Sequence, residues 1–346
     1  MKIATGLSYT RGYRDEAARI AELERAGLDI VYVAEAYGND AVSAMGYLAA
    51  LTERVEIASG ILPIYSRTPT LLAMTAAGMD AVSEGRFILG LGASGPQVIE
   101  GFHGVSYDAP IGRTREIIEI CRAAWAREAP LAYAGEHYQL PLPDGAGTGL
   151  GKPLKMITRP RRARIPVHVA ALGPKNVEMA ATYAEGWLPL FFHPELSGKV
   201  FADSLAAGAS RRDPSLPSLD IIAGGIVAIG DDVEDLLDLA RPSAALYIGG
   251  MGARGHNYYN TLVQLYGFED EAKEIQDLYL AGKKKEAAAA VPRELLEGCN
   301  LVGSAGYVRD RLAAFAAAGV TVLNVTPVAR HDSELNTIDR LRSLLP

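Results

Sequence analysis

Arg86-Phe87-Ile88-Leu89-Gly90-Leu91-Gly92-Ala93-Ser94-Gly95 is an apolar, β-type run that closes on a formal GxGxxG, and its reading decides the fold. In a dinucleotide-binding unit that motif opens the first βαβ unit and runs straight into a long helix, with an acidic residue ending the next strand about 20 positions on. Here three strand-like runs precede it, and residues 96–113 beyond it are broken by Gly101, Gly104, Pro110 and Gly112. The glycines therefore read as a turn at a barrel mouth, where missing side chains let backbone amides approach a flat or anionic ligand. Ser94 stands in Gly92-Ala93-Ser94-Gly95-Pro96, one residue short of a GxSxG nucleophile elbow because proline takes the fifth place; this disfavours a hydrolase.

Outward from this stretch, short β-type runs alternate with longer amphipathic segments, the signature of βα units around a parallel sheet. Strands are predicted at 2–7, 30–34, 55–62, 86–91, 166–170, 186–190, 221–229 and 321–325. Helices are predicted at 14–26, 41–51, 68–82, 113–127, 175–184, 195–207, 305–318 and 334–344, with further helical pieces between 231 and 296. In the first helix Ala17, Ile20, Ala21 and Leu23 recur at threes and fours, and Gly27 closes it. Eight strands without a long linker predict an α/β fold: one (β/α)8 TIM barrel over residues 1–346, with insertions at about 128–165 and 231–303, rather than two doubly wound halves. Chemistry then belongs at the C-terminal strand ends, near Leu7, Glu35, 60–62, 92–94, 171–173, Leu190 and Thr326.

Composition narrows the function classes. The 346 residues are 49% apolar and 22% charged, as in an ordinary globular enzyme. A balance of 34 basic against 41 acidic groups, net −7, argues against a general nucleic-acid or anionic-membrane binder. Cys121 and Cys299 lie too far apart in sequence for a disulfide framework or a CxxC metal site, which favours a reduced, cytoplasmic setting. Residues 1–6 lack the apolar core of a signal peptide and read as a strand, and no apolar run reaches the roughly 18–20 residues of a membrane span. The six histidines, at 103, 137, 168, 193, 256 and 331, show no paired ligand spacing, so no metal is expected, and His168, inside a strand, reads as a packed side chain.

Two further stretches carry chemistry. In Ala171-Leu172-Gly173-Pro174-Lys175-Asn176 a β-run ends in a glycine turn and proline opens a helix; the free first-turn amides and the positive end of the dipole suit a phosphate. In Ser59-Gly60-Ile61-Leu62-Pro63-Ile64-Tyr65-Ser66-Arg67-Thr68-Pro69 a strand ends in a glycine hinge and an apolar platform that suits the back of a ring system. Between them, Lys152, Lys155, Arg159, Arg161, Arg162 and Arg164 put six cations in thirteen residues with no acid, the place where a polyanionic ligand is expected on this acidic chain.

Together these residues resemble the bacterial luciferase-like superfamily, and within it the coenzyme F420-dependent (deazaflavin) branch typified by methylenetetrahydromethanopterin reductase. The resemblance rests on Gly60-Ile61 with Tyr65-Ser66-Arg67-Thr68-Pro69, on Gly85 to Gly92, and on Ala170 to Lys175, and it runs over nearly the whole chain. It implies a barrel with coenzyme F420 lying across the strand ends, backed by a bulge with a non-prolyl cis peptide, here Gly60–Ile61. It implies ring or side-chain contacts from Ser59, Gly60, Ile61, Arg67, Gly92, Ala93 and Ser94, a phosphate held around Ala171, Leu172, Gly173, Pro174 and Lys175, and an oligoglutamate tail on the basic insertion. Relatives often carry an Asp-His pair after the second strand, where this chain has Glu35-Ala36-Tyr37, and Gly95-Pro96-Gln97 replaces a carboxylate beyond the fourth strand. A sugar-phosphate dehydrogenase is therefore disfavoured, and Glu35 and Tyr37 become the candidate catalytic groups. The implied activity is hydride transfer between the deazaflavin C5 and a small organic substrate, by a homodimer. The alternatives are an FMN-dependent monooxygenase of the same superfamily, against which the six cations weigh, and a non-catalytic coenzyme-binding barrel.

Overall fold

The computed structural model describes residues 1–8, 12–330 and 332–346; His331 lies outside them. Eight strands close a parallel barrel: β1 (Lys2–Gly6), β2 (Ile30–Val33), β3 (Glu56–Ser59), β4 (Phe87–Gly92), β5 (Val167–Ala170), β6 (Gly186–Leu188), β7 (Asp220–Ala223) and β8 (Val322–Asn324). Each pairs with the next, and β8 returns to β1 with Lys2 opposite Val322. Around it run α1 (Tyr13–Arg25), α2 (Ala41–Leu51), α3 (Pro69–Val82), α4 (Pro110–Ala126), α5 (Pro174–Tyr183), α6 (Pro194–Ala209), α7 (Ala305–Ala317) and α8 (Glu334–Leu344). The α/β barrel expected from the alternation is the observed fold.

The departures have local causes. The strand predicted over 221–229 is two: the chain leaves the barrel at Gly224-Gly225, where a Cβ on Gly224 would lie 2.4 Å from the Asn324 carbonyl oxygen and one on Gly225 would lie 2.3 Å from Asn300 Oδ1. Ile226–Ile229 then forms a small outer sheet with Leu301–Gly303, a strand the pattern did not reveal, and Thr326–Pro327. The strand predicted over 55–62 likewise breaks after Ser59 and resumes at Leu62–Pro63, which pairs beside Leu91 and Gly92. Beyond β4, where only a turn was expected, Pro96–Ile99 forms one helical turn.

A layer of Ala4, Ile30, Tyr32, Ala58, Ile88, Ile222 and Val322 fills the barrel. His168 is packed in it, its Nδ1 2.9 Å from the Tyr32 hydroxyl. Burial, and secondarily the charge of Lys2, pushes its pKa down to about 3, so it stays neutral.

The insertion at 128–165 bears on one expectation. It joins the end of α4 to the start of β5 and therefore lies at the N-terminal end of the barrel, away from the strand ends that carry chemistry. Arg162 pairs with buried Asp80 near the end of α3 and donates to the Phe87 carbonyl at the start of β4. Arg164 donates to the Ser215 carbonyl at 2.8 Å, Lys155 donates to the Glu128 carbonyl, and Arg161 packs beside Gly85. Arg162 and Arg164 are thus used within the fold, and the basic run lies at the end of the barrel opposite the strand ends, which weighs against the oligoglutamate role expected of it.

Candidate active site

At the C-terminal ends of the strands, the segment after β3 forms a bulge with a cis Gly60–Ile61 peptide bond. The bulge is pinned on both sides: Gly60 N–H donates to the Val33 carbonyl at 2.8 Å, Glu35 N–H to the Ile61 carbonyl at 3.2 Å, and Ile64 N–H to the Gly92 carbonyl at 3.0 Å. Glycine is needed at two places around it. A Cβ on Gly60 would sit 2.9 Å from Tyr32 Cβ, and one on Gly92 would sit 2.8 Å from Ile61 Cγ1. The ends of β2, β3 and β4 thereby form a flat platform with Ile61 at its centre.

Ser59 faces elsewhere. It is fully buried, and its hydroxyl donates to the Gly90 carbonyl and accepts from the Gly90 N–H, both at 2.8 Å, so its side chain seals β3 to β4 rather than reaching the mouth. Ala93 and Ser94 follow on the rim, Ser94 with φ of 58°, a left-handed conformation uncommon outside glycine. Phe191, just beyond β6, has φ of 55°. Two such residues at strand ends are the kind of backbone outlier that gathers at functional sites.

Glu35 and Arg67 meet at the platform edge. Arg67 Nη1 lies 2.5 Å from Glu35 Oε1 and Nη2 lies 2.8 Å from Oε2, a fork-to-fork pair, and Ala41 N–H at the start of α2 donates to Oε2 at 2.9 Å. Burial alone raises the Glu35 carboxyl, but the Arg67 fork and the Ala41 amide outweigh it and hold the group below its usual range. Glu35 is therefore a carboxylate with both oxygens engaged. Tyr37 is 68% exposed, its ring 6.4 Å from that of Phe102.

Beside the platform, β5, which pairs with β4, ends at Ala170, and the turn 171–173 leads into α5. Ala171 is buried and its carbonyl accepts from Trp187 Nε1 at 2.8 Å, which fixes the turn. Gly173 is the N-cap of α5, with Pro174 in the first turn and no side chain capping the helix; Asn176 and Val177 N–H donate to the Gly173 carbonyl at 2.9 Å, which leaves the Lys175 N–H and its exposed ammonium at the positive end of the helix. Tyr258, which opens the helix Tyr258–Leu265, leans over this turn, 3.1 Å from where a Gly173 Cβ would be. Of the predicted site residues, Gly60, Ile61, Arg67, Gly92, Ala93, Ser94 and 172–175 come together around one mouth.

The pattern missed an aromatic wall. Tyr247 and Tyr259 pack at 4.9 Å, with Phe191 edge-on to both at 6.1 and 6.4 Å, and Tyr65 stacks at 5.3 Å on Tyr107, whose hydroxyl donates to the Ser94 carbonyl. Tyr259 is set in place by Asn257, which caps its helix by accepting from Tyr259 and Asn260 N–H. Among the described residues no group of three or more His, Cys, Asp or Glu side chains is placed to hold a metal ion.

The family model described as luciferase-like monooxygenase matches residues 1–322. The chain belongs to the luciferase-like family. A relative in this family, a Mycobacterium tuberculosis protein named "Putative coenzyme F420-dependent oxidoreductase Rv3520c", is 41% identical over 331 residues, covering 94% of this chain and 95% of the relative. The 5,10-methylenetetrahydromethanopterin reductase of Archaeoglobus fulgidus is 25% identical over 304 residues, 86% of this chain and 85% of its own. Among solved structures, the coenzyme F420-dependent tetrahydromethanopterin reductase of Methanopyrus kandleri superposes with a TM-score of 0.79 at 20% identity, covering 99% and 98% of the two chains, a likeness of luciferase-like fold.

Proposed function

We propose that this luciferase-like barrel is an F420-dependent oxidoreductase that transfers a hydride between the deazaflavin C5 and a small organic substrate. The observation that carries the reading is the Gly60-Ile61 bulge, packed against Tyr32 and Gly92 where only glycine fits, with the start of α5 at Gly173–Lys175 beside it on the same strand ends, a fit to a flat ring with a phosphate-bearing chain. The 41% identical relative, named for the same coenzyme, supports it.

When bound, the reduced coenzyme supplies the hydride. The chain's own residues bind, orient and exclude water. Ile61 backs the ring, the Lys175 N–H and ammonium at the start of α5 hold the phosphate, and Arg67, fixed by Glu35, shapes the platform edge. Glu35 acts as a positioning group, since a carboxylate held below its usual range by Arg67 is a poor proton donor.

The chain acts as a homodimer in this reading, supported by α2 and α3. Residues 41–52 carry no charge, and α3 carries only Asp80, which is buried and paired with Arg162. Tyr47, Leu51, Leu71, Met74 and Val82 remain exposed on these two helices, an apolar face of the kind a second subunit covers.

Turnover tests the proposal: reduced F420 is mixed with purified protein and a panel of enones, imines and ketones, and reoxidation is followed by the return of the deazaflavin's visible absorbance. Substrate-dependent reoxidation is expected. Tight coenzyme binding without reoxidation across the panel contradicts catalysis and leaves a coenzyme-binding barrel.

A further inference from the structure

We infer that the substrate of this site is an uncharged, flat carbonyl compound, such as a cyclic enone, whose ring lies in the aromatic wall and whose oxygen accepts from the hydroxyls of Tyr247 and Tyr259. The inference deepens the proposed function and rests on it for the identity of the reaction.

Three observations carry it. The first is the shape and chemistry of the wall. Phe191, Tyr247 and Tyr259 meet edge to face in one aromatic cluster, with Tyr247 and Tyr259 partly exposed, and Phe191 takes a left-handed backbone just beyond β6. A flat ring added to such a cluster gains aromatic contacts that an aliphatic chain does not.

The second is an imbalance of donors. The hydroxyls of Tyr65 and Tyr107 are used within the chain, donating to the carbonyls of Asp108 and Ser94. Those of Tyr247 and Tyr259 have no hydrogen-bond partner among the described residues, yet neither oxygen is sealed from solvent. Burial first, then Tyr37 beside Tyr247 and Tyr247 beside Tyr259, raises both phenols, so each stays protonated and offers an O–H. Two protonated donors on an otherwise apolar wall ask for an acceptor such as a carbonyl oxygen.

The third is the charge balance of the rim. Glu35 is spent on Arg67, Asp108 lies 2.8 Å from Arg113, Arg254 lies 2.8 Å from Asp277, and Asp40 caps α2 by accepting from Val42 and Ser43 N–H. Lys175 stands at the α5 turn, over which Tyr258 leans, and there it is taken up by the coenzyme phosphate in the proposed reading. Among the described residues, a substrate carboxylate or phosphate against the tyrosine wall would lose its water and gain no unspent counter-charge other than Lys175, the costly case for a buried ion.

The test is binding. Purified protein, with and without oxidised F420, is titrated with 2-cyclohexenone and with the same ring bearing a carboxylate, by calorimetry, for the native chain and the Tyr247→Phe/Tyr259→Phe double variant. F420 affinity is measured in parallel from the coenzyme's own fluorescence. The inference expects the neutral enone to bind at least about tenfold tighter than its carboxylate, and the double variant to lose about tenfold in enone affinity while F420 affinity is unchanged, the loss expected when hydrogen bonds to a substrate oxygen go. Equal or tighter binding of the carboxylate, or undiminished enone binding by the double variant, overturns it. The proposed function fails separately: absent F420 binding with the enone preference intact removes the coenzyme and supports the substrate class.

Discussion

Glu35 and Arg67 hold each other so firmly that removing one charge is felt at both the platform and α2. In Glu35→Gln the fork is lost and Arg67 is left half-buried without its counter-ion, which should cost about 3 kcal/mol and weaken F420 binding. The sign of the pH effect follows from the depressed carboxyl: its stabilisation is present above the ordinary glutamate range and is lost as pH falls through the native value. The Tm gap between the native chain and Glu35→Gln should therefore be full at neutral pH and close in acid; a gap that widens in acid contradicts the assignment. His168 behaves in the same direction, because the unfolded histidine takes a proton near pH 6.5 while the native one resists down to about 3. Stability from this site is lost as pH drops across that window. Tyr32→Phe, which strips the Nδ1 partner at 2.9 Å, should cost about 1–2 kcal/mol by thermal denaturation. At this scale the sequence made His168 legible as packing, because its strand position and lack of a ligand partner say so. It could not show that Glu35 is already spent, since Arg67 lies 32 residues away and only the bulge brings the two together.

The elements were legible where one rule dominates. α2 falls at 41–51 as predicted, opened by Asp40, whose side chain caps Val42 and Ser43 N–H. Strands failed where glycine lets the chain turn out of a ladder, at Gly224-Gly225 and after Ser59, because a continuous apolar run reads the same whether it stays in one sheet or passes between two. The same glycines are sensitive points. Gly92→Ala puts a methyl 2.8 Å from Ile61 Cγ1 and should abolish F420 binding while far-ultraviolet circular dichroism stays native; binding within twofold of the native chain contradicts the platform. The mouth's aromatic wall stayed hidden because its parts come from separate elements: Tyr107 precedes α4, Phe191 follows β6, and Tyr247 and Tyr259 flank a loop.

For the whole molecule, net charge misled and topology corrected it. The basic run 152–164 stands out in a chain of net −7, but an insertion between a helix and the next barrel strand lies at the end opposite the mouth. Lys155→Ala with Arg161→Ala should leave F420 affinity within about twofold, the small effect expected of surface charges far from the ligand; a tenfold loss restores the tail-binding role. Met74→Glu, placing a charge on the bare face of α3, should convert a dimer to a monomer by sedimentation. The central claim, that this luciferase-like barrel takes a deazaflavin across Gly60-Ile61, is tested most directly by titrating the purified protein with F420 and, separately, with FMN while following fluorescence. The account predicts saturable micromolar F420 binding and none for FMN over the same range; micromolar FMN binding without F420 binding contradicts it.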